Sequence, residues 1–149
     1  MLSKIILRLY HLAYGLHERR IPVLPKMIVL GIRIIFSCDI GLGARIGNRF
    51  NFCHGGLGTV IHHEAVIEDG ASIGSCVTIG GSRKGLGVPV IRKRAMISTG
   101  AKVIGPITVG EGAVVGANAT VTKDVPDRSL AVGSPARVVK TDIRIEDYR

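Results

Sequence analysis

The sequence predicts a mainly β protein, a parallel β-helix of hexapeptide repeats, from three observations. An aliphatic or aromatic residue recurs at every sixth position, an alanine often stands two places before it, and a glycine often follows it. Neither an α-helix, which repeats every 3.6 residues, nor a half-buried strand, which repeats every two, gives this period. It is typical of short strands stacked into a coil. The periodic residues form three runs: Ile40, Ile46 and Phe52; Ile61, Ile67, Ile73 and Ile79; and Ile91, Ile97, Val103, Val109, Val115 and Val121.

The composition agrees with a thin, aliphatic interior. The chain has 149 residues, enough for one domain with its own core, and it contains 20 Gly, three Phe, three Tyr and no Trp. Its cysteines, Cys38, Cys53 and Cys76, are odd in number and form no C-x-x-C pair. Without a cleavable signal sequence, this pattern predicts reduced thiols in a cytoplasmic protein.

Residues 1–37 predict a helical segment before the coil. Apolar residues follow helical spacing over residues 2–16, two prolines break the chain, and a second apolar stretch, Met27–Phe36, follows. Both stretches are shorter than the roughly 20 residues needed to span a bilayer. We expect the segment to cap the coil, with interfacial membrane attachment as the alternative.

The coil is expected over residues 38–126, followed by a C-terminal cap and tail over 127–149. Three walls of six residues give about 18 residues per turn, hence between four and five coils. The period fails twice, between Phe52 and Ile61 and in the glycine-rich segment 80–87. In a repetitive fold, such insertions usually carry the binding surface.

His54 lies in the first insertion and is the main candidate for a general base. A corner histidine bonded to a carbonyl is its structural alternative. Asp39 could orient a histidine or bind a substrate amine or hydroxyl, or it could be a solvated cap. Cys53 suggests a thiol nucleophile, but neighbours on an extended chain point in opposite directions, which disfavours a dyad with His54. His62 and His63 are expected to be ordinary exposed coil residues.

The net charge is +9, of which the first 37 residues supply a large share. No aromatic-basic motif or recognition helix accompanies this charge, so we expect no nucleic-acid partner. Anionic phosphates on a small ligand, an anionic membrane surface, or a solvated basic face with no partner each account for it. The candidate phosphate contacts are Arg83, Lys84, Lys123 and Arg137.

Several short motifs together resemble the hexapeptide-repeat acyltransferases, and most closely their serine acetyltransferase-like branch. The resemblance covers about residues 38–140. The motifs are Asp39-Ile40, Phe52-Cys53-His54, Ile67-x5-Ile73, Val77-Thr78-Ile79-Gly80-Gly81 and Gly133-Ser134-Pro135-Ala136-Arg137.

This resemblance implies a left-handed parallel β-helix, a homotrimer with active sites between subunits, and acetyl-CoA as the donor. It implies that His54 is the general base and that Asp39 lies in the acceptor site. We expect Gly80-Gly81 to supply oxyanion donors and no metal to take part. The expected contacts to acetyl-CoA are Gly80, Gly81, Arg83, Lys84, Ser98, Lys123 and Arg137.

Three departures from the branch bear on the acceptor. Cys53 stands where the family has an aspartate, Gly87-Val88 stands where it has an Arg-His pair that serves the amino-acid acceptor, and the N-terminal helical domain is reduced. A carboxylate needs a cationic partner. We therefore predict a sugar or surface-polysaccharide precursor as acceptor, with serine O-acetylation as the alternative.

Two further alternatives come from other classes of protein. A metalloenzyme of the γ-carbonic-anhydrase type would need His54, His62 and His63 to meet in a trimer, and two adjacent histidines suit zinc poorly. A non-catalytic trimeric scaffold would use the β-helix only as a rod.

Overall fold

A computed structural model describes residues 1–82 and 85–148 as two N-terminal helices followed by a parallel β-helix. In chain order the elements are α1 (Leu2–Glu18), α2 (Leu24–Phe36), β1 (Asp39–Ile40), β2 (Arg45–Ile46), β3 (Asn51–Phe52), a 3₁₀ turn (Cys53–Gly56), β4 (Val60–Ile61), β5 (Val66–Ile67), β6 (Ser72–Ile73), β7 (Thr78–Gly80), β8 (Val90–Ile91), β9 (Met96–Ile97), β10 (Lys102–Ile104), β11 (Thr108–Val109), β12 (Val114–Val115), β13 (Thr120–Val121), β14 (Leu130–Val132), β15 (Arg137–Lys140) and a second 3₁₀ turn (Ile145–Tyr148).

The strands of the described residues form three faces. Face A stacks β1, β4, β7, β10 and β13; face B stacks β2, β5, β8 and β11; face C stacks β3, β6, β9, β12 and β14. Every neighbouring pair within this set is parallel. The predicted β-helix is therefore confirmed. We call the corners that lead from face C to face A edge CA, and those from face A to face B edge AB.

The six-residue period becomes a vertical stack inside the coil. Ile61 pairs with Ile79, Ile67 with Ile91, and Ile73 with Ile97, and all are buried. Successive coils approach so closely at the corners that a Cβ on Gly110 would lie 2.4 Å from the amide nitrogen of Asp127. The glycine after an inward aliphatic can therefore be required by the coil above it.

The coil continues past its predicted end at residue 126. Val125 bridges Val109 in parallel, and β14 stacks on β12. In the last coil, Val125 follows Val121 after four positions, where the repeat has six. The period therefore fails there, although the strands continue to stack. The true end is the reversal at β15, which runs antiparallel to β14.

The C-terminal segment covers the outside of face C. After β15, Ile143 and Ile145 pack against Val114 in a small apolar cluster, with Met96 and Tyr148 at its border. The tail therefore protects upper strands of face C and leaves face A uncovered within the described chain.

The two helices cover the open end of the first coil. Ile6, Tyr10 and Ile32 are buried and belong to the same core as the coil interior. The Tyr10 hydroxyl lies 2.8 Å from the carbonyl oxygen of Ala44 and 3.0 Å from that of Gly41. Burial raises the pKa of Tyr10 well above its usual value, so the hydroxyl stays protonated and remains a donor.

The outer side of α2 is apolar and exposed, with Ile34 and Ile35 both more than 70% accessible. Among the described residues, no helix combines the length and apolar character needed to cross a membrane. The inner sides of both helices pack on the coil, so a membrane could be contacted through their outer sides alone. Membrane attachment through residues 1–37 stays a prediction.

Burial of the His11 side chain is expected to make stability dependent on pH. Its Nε2 is buried without a hydrogen-bond partner, and burial lowers its pKa. The unfolded chain therefore takes up this proton at a higher pH than the folded chain, and stability falls as the pH drops below the unfolded value of 6.5. We expect His11→Leu to lose less thermal stability than wild type between about pH 7.5 and 5.5. His17→Gln, at an exposed site on the same helix, is the control, and equal losses in all three proteins would contradict the prediction.

Candidate functional site

The first break in the repeat forms a 3₁₀ turn that carries His54 outward on edge CA. His54 and Gly55 adopt left-handed backbone conformations, with φ values of 50° and 68°. The imidazole is exposed, and no hydrogen bond or ion pair within the described chain engages it. The alternative of a corner histidine tied to a carbonyl is not what the structure has. Both ring nitrogens remain open to a substrate.

The backbone around His54 is held from both sides. The Phe52 amide donates to Ser3 Oγ at 2.8 Å, and the Gly58 amide donates to the Ser37 carbonyl at 2.8 Å. A Cβ on Gly56 would lie 2.8 Å from the Phe52 ring and 3.0 Å from Cys38 Sγ, so only glycine fits there. The turn is therefore a fixed support for an exposed side chain.

Asp39 stands on face A at the start of the first coil. Its carboxylate lies 3.5 Å from Arg33 Nη1 of α2, and the pair is largely exposed. Within one chain, no hydrogen bond joins Asp39 to His54 among the described contacts. Its predicted roles in orienting the base or binding the acceptor remain predictions.

The thiols show no sign of a nucleophilic dyad. Cys53 is half-buried, and its Sγ accepts a long contact of 3.9 Å from Asn51 Nδ2 rather than one from His54. The dyad was predicted to be absent because neighbours on an extended chain point in opposite directions. That reason was wrong, because Cys53 and His54 lie in a tight turn and not on an extended chain. Burial, with a smaller contribution from Asp39, raises the pKa of Cys38 to about 12, so that thiol stays protonated.

The residues predicted to contact acetyl-CoA lie at two different edges of face A. Ser98 and Arg137 lie at edge CA, and the Arg137 guanidinium donates to the neighbouring carbonyl of Ala136. Gly81 and Lys123 lie at edge AB, next to β7 and β13 respectively. Arg83 and Lys84 lie outside the described residues. The candidate groups therefore flank one face and do not converge within a single chain.

His62 and His63 stand at edge AB in the second coil, with rings stacked at 4.2 Å and 29°. Together with Glu64 they offer ligand atoms within 4.8 Å of one another. However, His62 Nδ1 accepts a hydrogen bond from the Glu64 amide at 3.2 Å, which occupies that nitrogen, and the two histidines are adjacent in the chain. This arrangement fits a tetrahedral metal site poorly. His62 also faces Gly81, a contact the sequence did not reveal.

Known proteins match this chain along most of its length. The family model described as bacterial transferase hexapeptide (six repeats) matches residues 89–123. A putative serine acetyltransferase of Schizosaccharomyces pombe is 44% identical over 135 residues, which cover 89% of this chain and 50% of the relative. The serine acetyltransferase of Helicobacter pylori (strain 26695) is 39% identical over 135 residues, covering 89% of this chain and 78% of the relative. The chain belongs to the serine acetyltransferase family. It spans only about half the length of the first of these relatives.

Solved structures of the same family share the fold. A serine acetyltransferase in complex with CoA superposes with a TM-score of 0.83 at 34% identity, covering 90% of this chain and 55% of that one. A serine acetyltransferase in complex with cysteine gives a TM-score of 0.87 at 36% identity, covering 92% of this chain and 54% of that one. The predicted family and the β-helix with N-terminal helices are thus confirmed for this serine acetyltransferase homologue.

The prediction of a sugar or polysaccharide acceptor is wrong. It rested on three departures, Cys53, Gly87-Val88 and the reduced N-terminal helical domain, yet the relatives and structures described above are serine acetyltransferases rather than polysaccharide-modifying enzymes. A missing side chain at one position does not exclude an acceptor, because a donor from elsewhere in the fold can take its place.

Proposed function

We propose that this protein is an acetyl-CoA-dependent serine O-acetyltransferase. The observation that carries the proposal is the match to the Helicobacter pylori serine acetyltransferase over 78% of that protein's length, in a chain whose repeat breaks to present His54. One of the matched structures is a complex with CoA and another a complex with cysteine, which supports a site for a CoA donor and a small amino acid.

His54 acts as the general base. Its imidazole removes the proton from the serine hydroxyl while that oxygen attacks the carbonyl carbon of the thioester. The new C–O bond gives a tetrahedral intermediate, which collapses as the C–S bond breaks. The proton held by His54 then passes to the departing CoA thiolate, leaving O-acetylserine and CoA. The exposed, unpartnered ring suits both proton transfers.

The backbone N–H groups of Gly80 and Gly81 donate hydrogen bonds to the oxyanion of the tetrahedral intermediate. Gly80 ends β7 and Gly81 follows it, and neither has a side chain, so a substrate can approach their amides closely. Cations on the two edges of face A, Lys123 and Arg137 among them, are suited to the phosphates of the donor. Ser98 lies on edge CA, as Arg137 does, and is suited to a polar contact with the donor.

The active unit is a homotrimer with its sites between subunits. His54 lies on edge CA and Gly81 on edge AB, so face A separates them within one chain. A closed ring in which edge CA of one subunit meets edge AB of the next brings both groups to one site. The uncovered face A and the open ring of His54 support this arrangement.

A thiol-release assay tests the proposed function. Purified protein with acetyl-CoA is expected to release CoA in proportion to added L-serine, with O-acetylserine identified by mass spectrometry. D-serine, threonine and a panel of sugars and nucleotide sugars serve as comparison acceptors. Turnover of a sugar with none of serine, or no acceptor-dependent release at all, would overturn the proposal.

A further inference from the structure

Gly81 leaves a small notch at edge AB. A Cβ atom on this residue would lie 3.4 Å from Val88 Cγ1, 3.5 Å from the Gly87 carbonyl oxygen and 3.5 Å from His62 Nε2. The Gly87 oxygen already accepts the Ser82 amide at 3.3 Å and keeps a second lone pair. The notch thus has one apolar wall, one hydrogen-bond acceptor and one imidazole nitrogen.

The hydrogen bond on the far side of the ring decides what His62 offers to the notch. His62 Nδ1 lies 3.2 Å from the Glu64 amide, which can only donate, so Nδ1 must be without a proton. A neutral imidazole carries one proton, and here it must be on Nε2. His62 therefore presents an N–H donor at Gly81, and no hydrogen bond within the described chain uses it.

The same tautomer excludes two other uses of His62. A general base or a metal ligand acting from the notch would need a bare Nε2, which the Glu64 contact disfavours. The stacked ring of His63 also limits rotation of the imidazole. What remains is a positioned donor in the second coil, between the coil that carries His54 and the coil that carries Gly81.

We propose that His62 Nε2–H binds the carboxylate of the amino-acid acceptor and so determines specificity for an α-amino acid. This inference rests on the proposed serine acetyltransferase activity. An α-amino acid carries an acceptor carboxylate and a donor ammonium, which match the His62 N–H and the Gly87 carbonyl on either side of the notch. Gly87 and Val88, which close the loop, carry no cation that could bind the carboxylate instead.

The test compares L-serine with L-serinamide, which keeps the hydroxyl and the amine but has no carboxylate. For His62→Ala, kcat/KM with serine is expected to fall about 10- to 100-fold, the loss of one hydrogen bond to a charged group, mainly through KM. With serinamide, kcat/KM is expected to stay within about threefold of wild type. His62→Gln, which keeps a side-chain N–H, is expected to recover part of the preference for serine.

Two controls separate this role from structural damage. His63→Ala removes the stacked ring but keeps the Nε2–H and is expected to keep the preference for serine. The double variant Arg83→Ala/Lys84→Ala tests the loop cations. Equal losses with both acceptors, an unchanged serine KM in His62→Ala, or loss of the preference only in the loop variant would each overturn the inference. A wild-type protein inactive with serine would instead overturn the proposed function, and the inference with it.

Discussion

Replacing His54 with alanine is expected to lower kcat for acetyl transfer by about 10²–10⁴-fold, because the serine hydroxyl then loses its proton acceptor. The KM values for acetyl-CoA and serine should change little, since the ring acts on the reacting proton rather than on binding. The His54 side chain is exposed, so the melting temperature should stay close to that of wild type. Steady-state kinetics and thermal unfolding on the same preparation measure both results.

The control for this variant is Cys53→Ser, a neighbouring change that leaves the imidazole in place. A correctly folded His54→Ala protein with wild-type turnover would refute the assignment of the base. If Cys53→Ser also lost activity to the same extent, the turn rather than the imidazole would be responsible.

Mixing two inactive variants extends this test to the subunit boundary. Gly81→Ala is expected to place its Cβ in the notch at ordinary contact distances and so to obstruct the site while leaving the coil in place. If one subunit supplies His54 and its neighbour supplies Gly81, trimers formed from equal amounts of the two variants regain about one quarter of the intact sites. No recovery after co-expression would show that both groups serve the site from the same chain.

Ile79→Ala is expected to lower the free energy of unfolding by about 2–5 kcal/mol, which is a large share of the stability of a typical domain. Ile79 is fully buried and lies in the middle of face A, between Ile61 below and Val103 above. The cost has two parts, the lost transfer free energy of the removed methyl groups and the cavity they leave. Stacked backbones on both sides limit how far the coil can collapse into it.

Ile79→Val provides a graded comparison and should cost about 0.5–1.5 kcal/mol. Val60→Ala, on the outer side of the neighbouring strand, is the exposed counterpart and should cost less than Ile79→Ala. Denaturant titration of the three proteins measures the difference. Equal losses for Ile79→Ala and Val60→Ala would contradict the inward stacking that the six-residue period predicts.

The six-residue period located most of the coil correctly because every repeat must meet the same packing requirements. An inward aliphatic, a small corner residue and a tight turn recur wherever one coil stacks on the next, so Ile61, Ile79 and Val103 could be aligned without a structure. The prediction failed at Val125, where the last coil has a short corner. Strands can still stack when a corner is shorter, but a prediction based on a fixed six-residue period fails there.

The candidate base could also be found from the sequence, because an insertion in a regular repeat is visible as a break in the count. His62 could not be found in this way. Its position in the repeat is one where exposed side chains are ordinary, and only its approach to Gly81, three strands later in the chain, distinguishes it. The acceptor prediction failed because departures at particular positions, Cys53 and Gly87-Val88 among them, do not show which other residues of the folded chain can bind the acceptor.

The sequence by itself therefore determined the β-helix, the placement of the inward aliphatics and the two insertions, because all of these repeat locally and need only short-range spacing. Only the tertiary structure decided which side chains face one another across coils. The approach of His62 to Gly81 and the division of the candidate groups between two edges of face A depend on contacts between residues distant along the chain. Such contacts are set by the stacking of whole coils, and no local period records them.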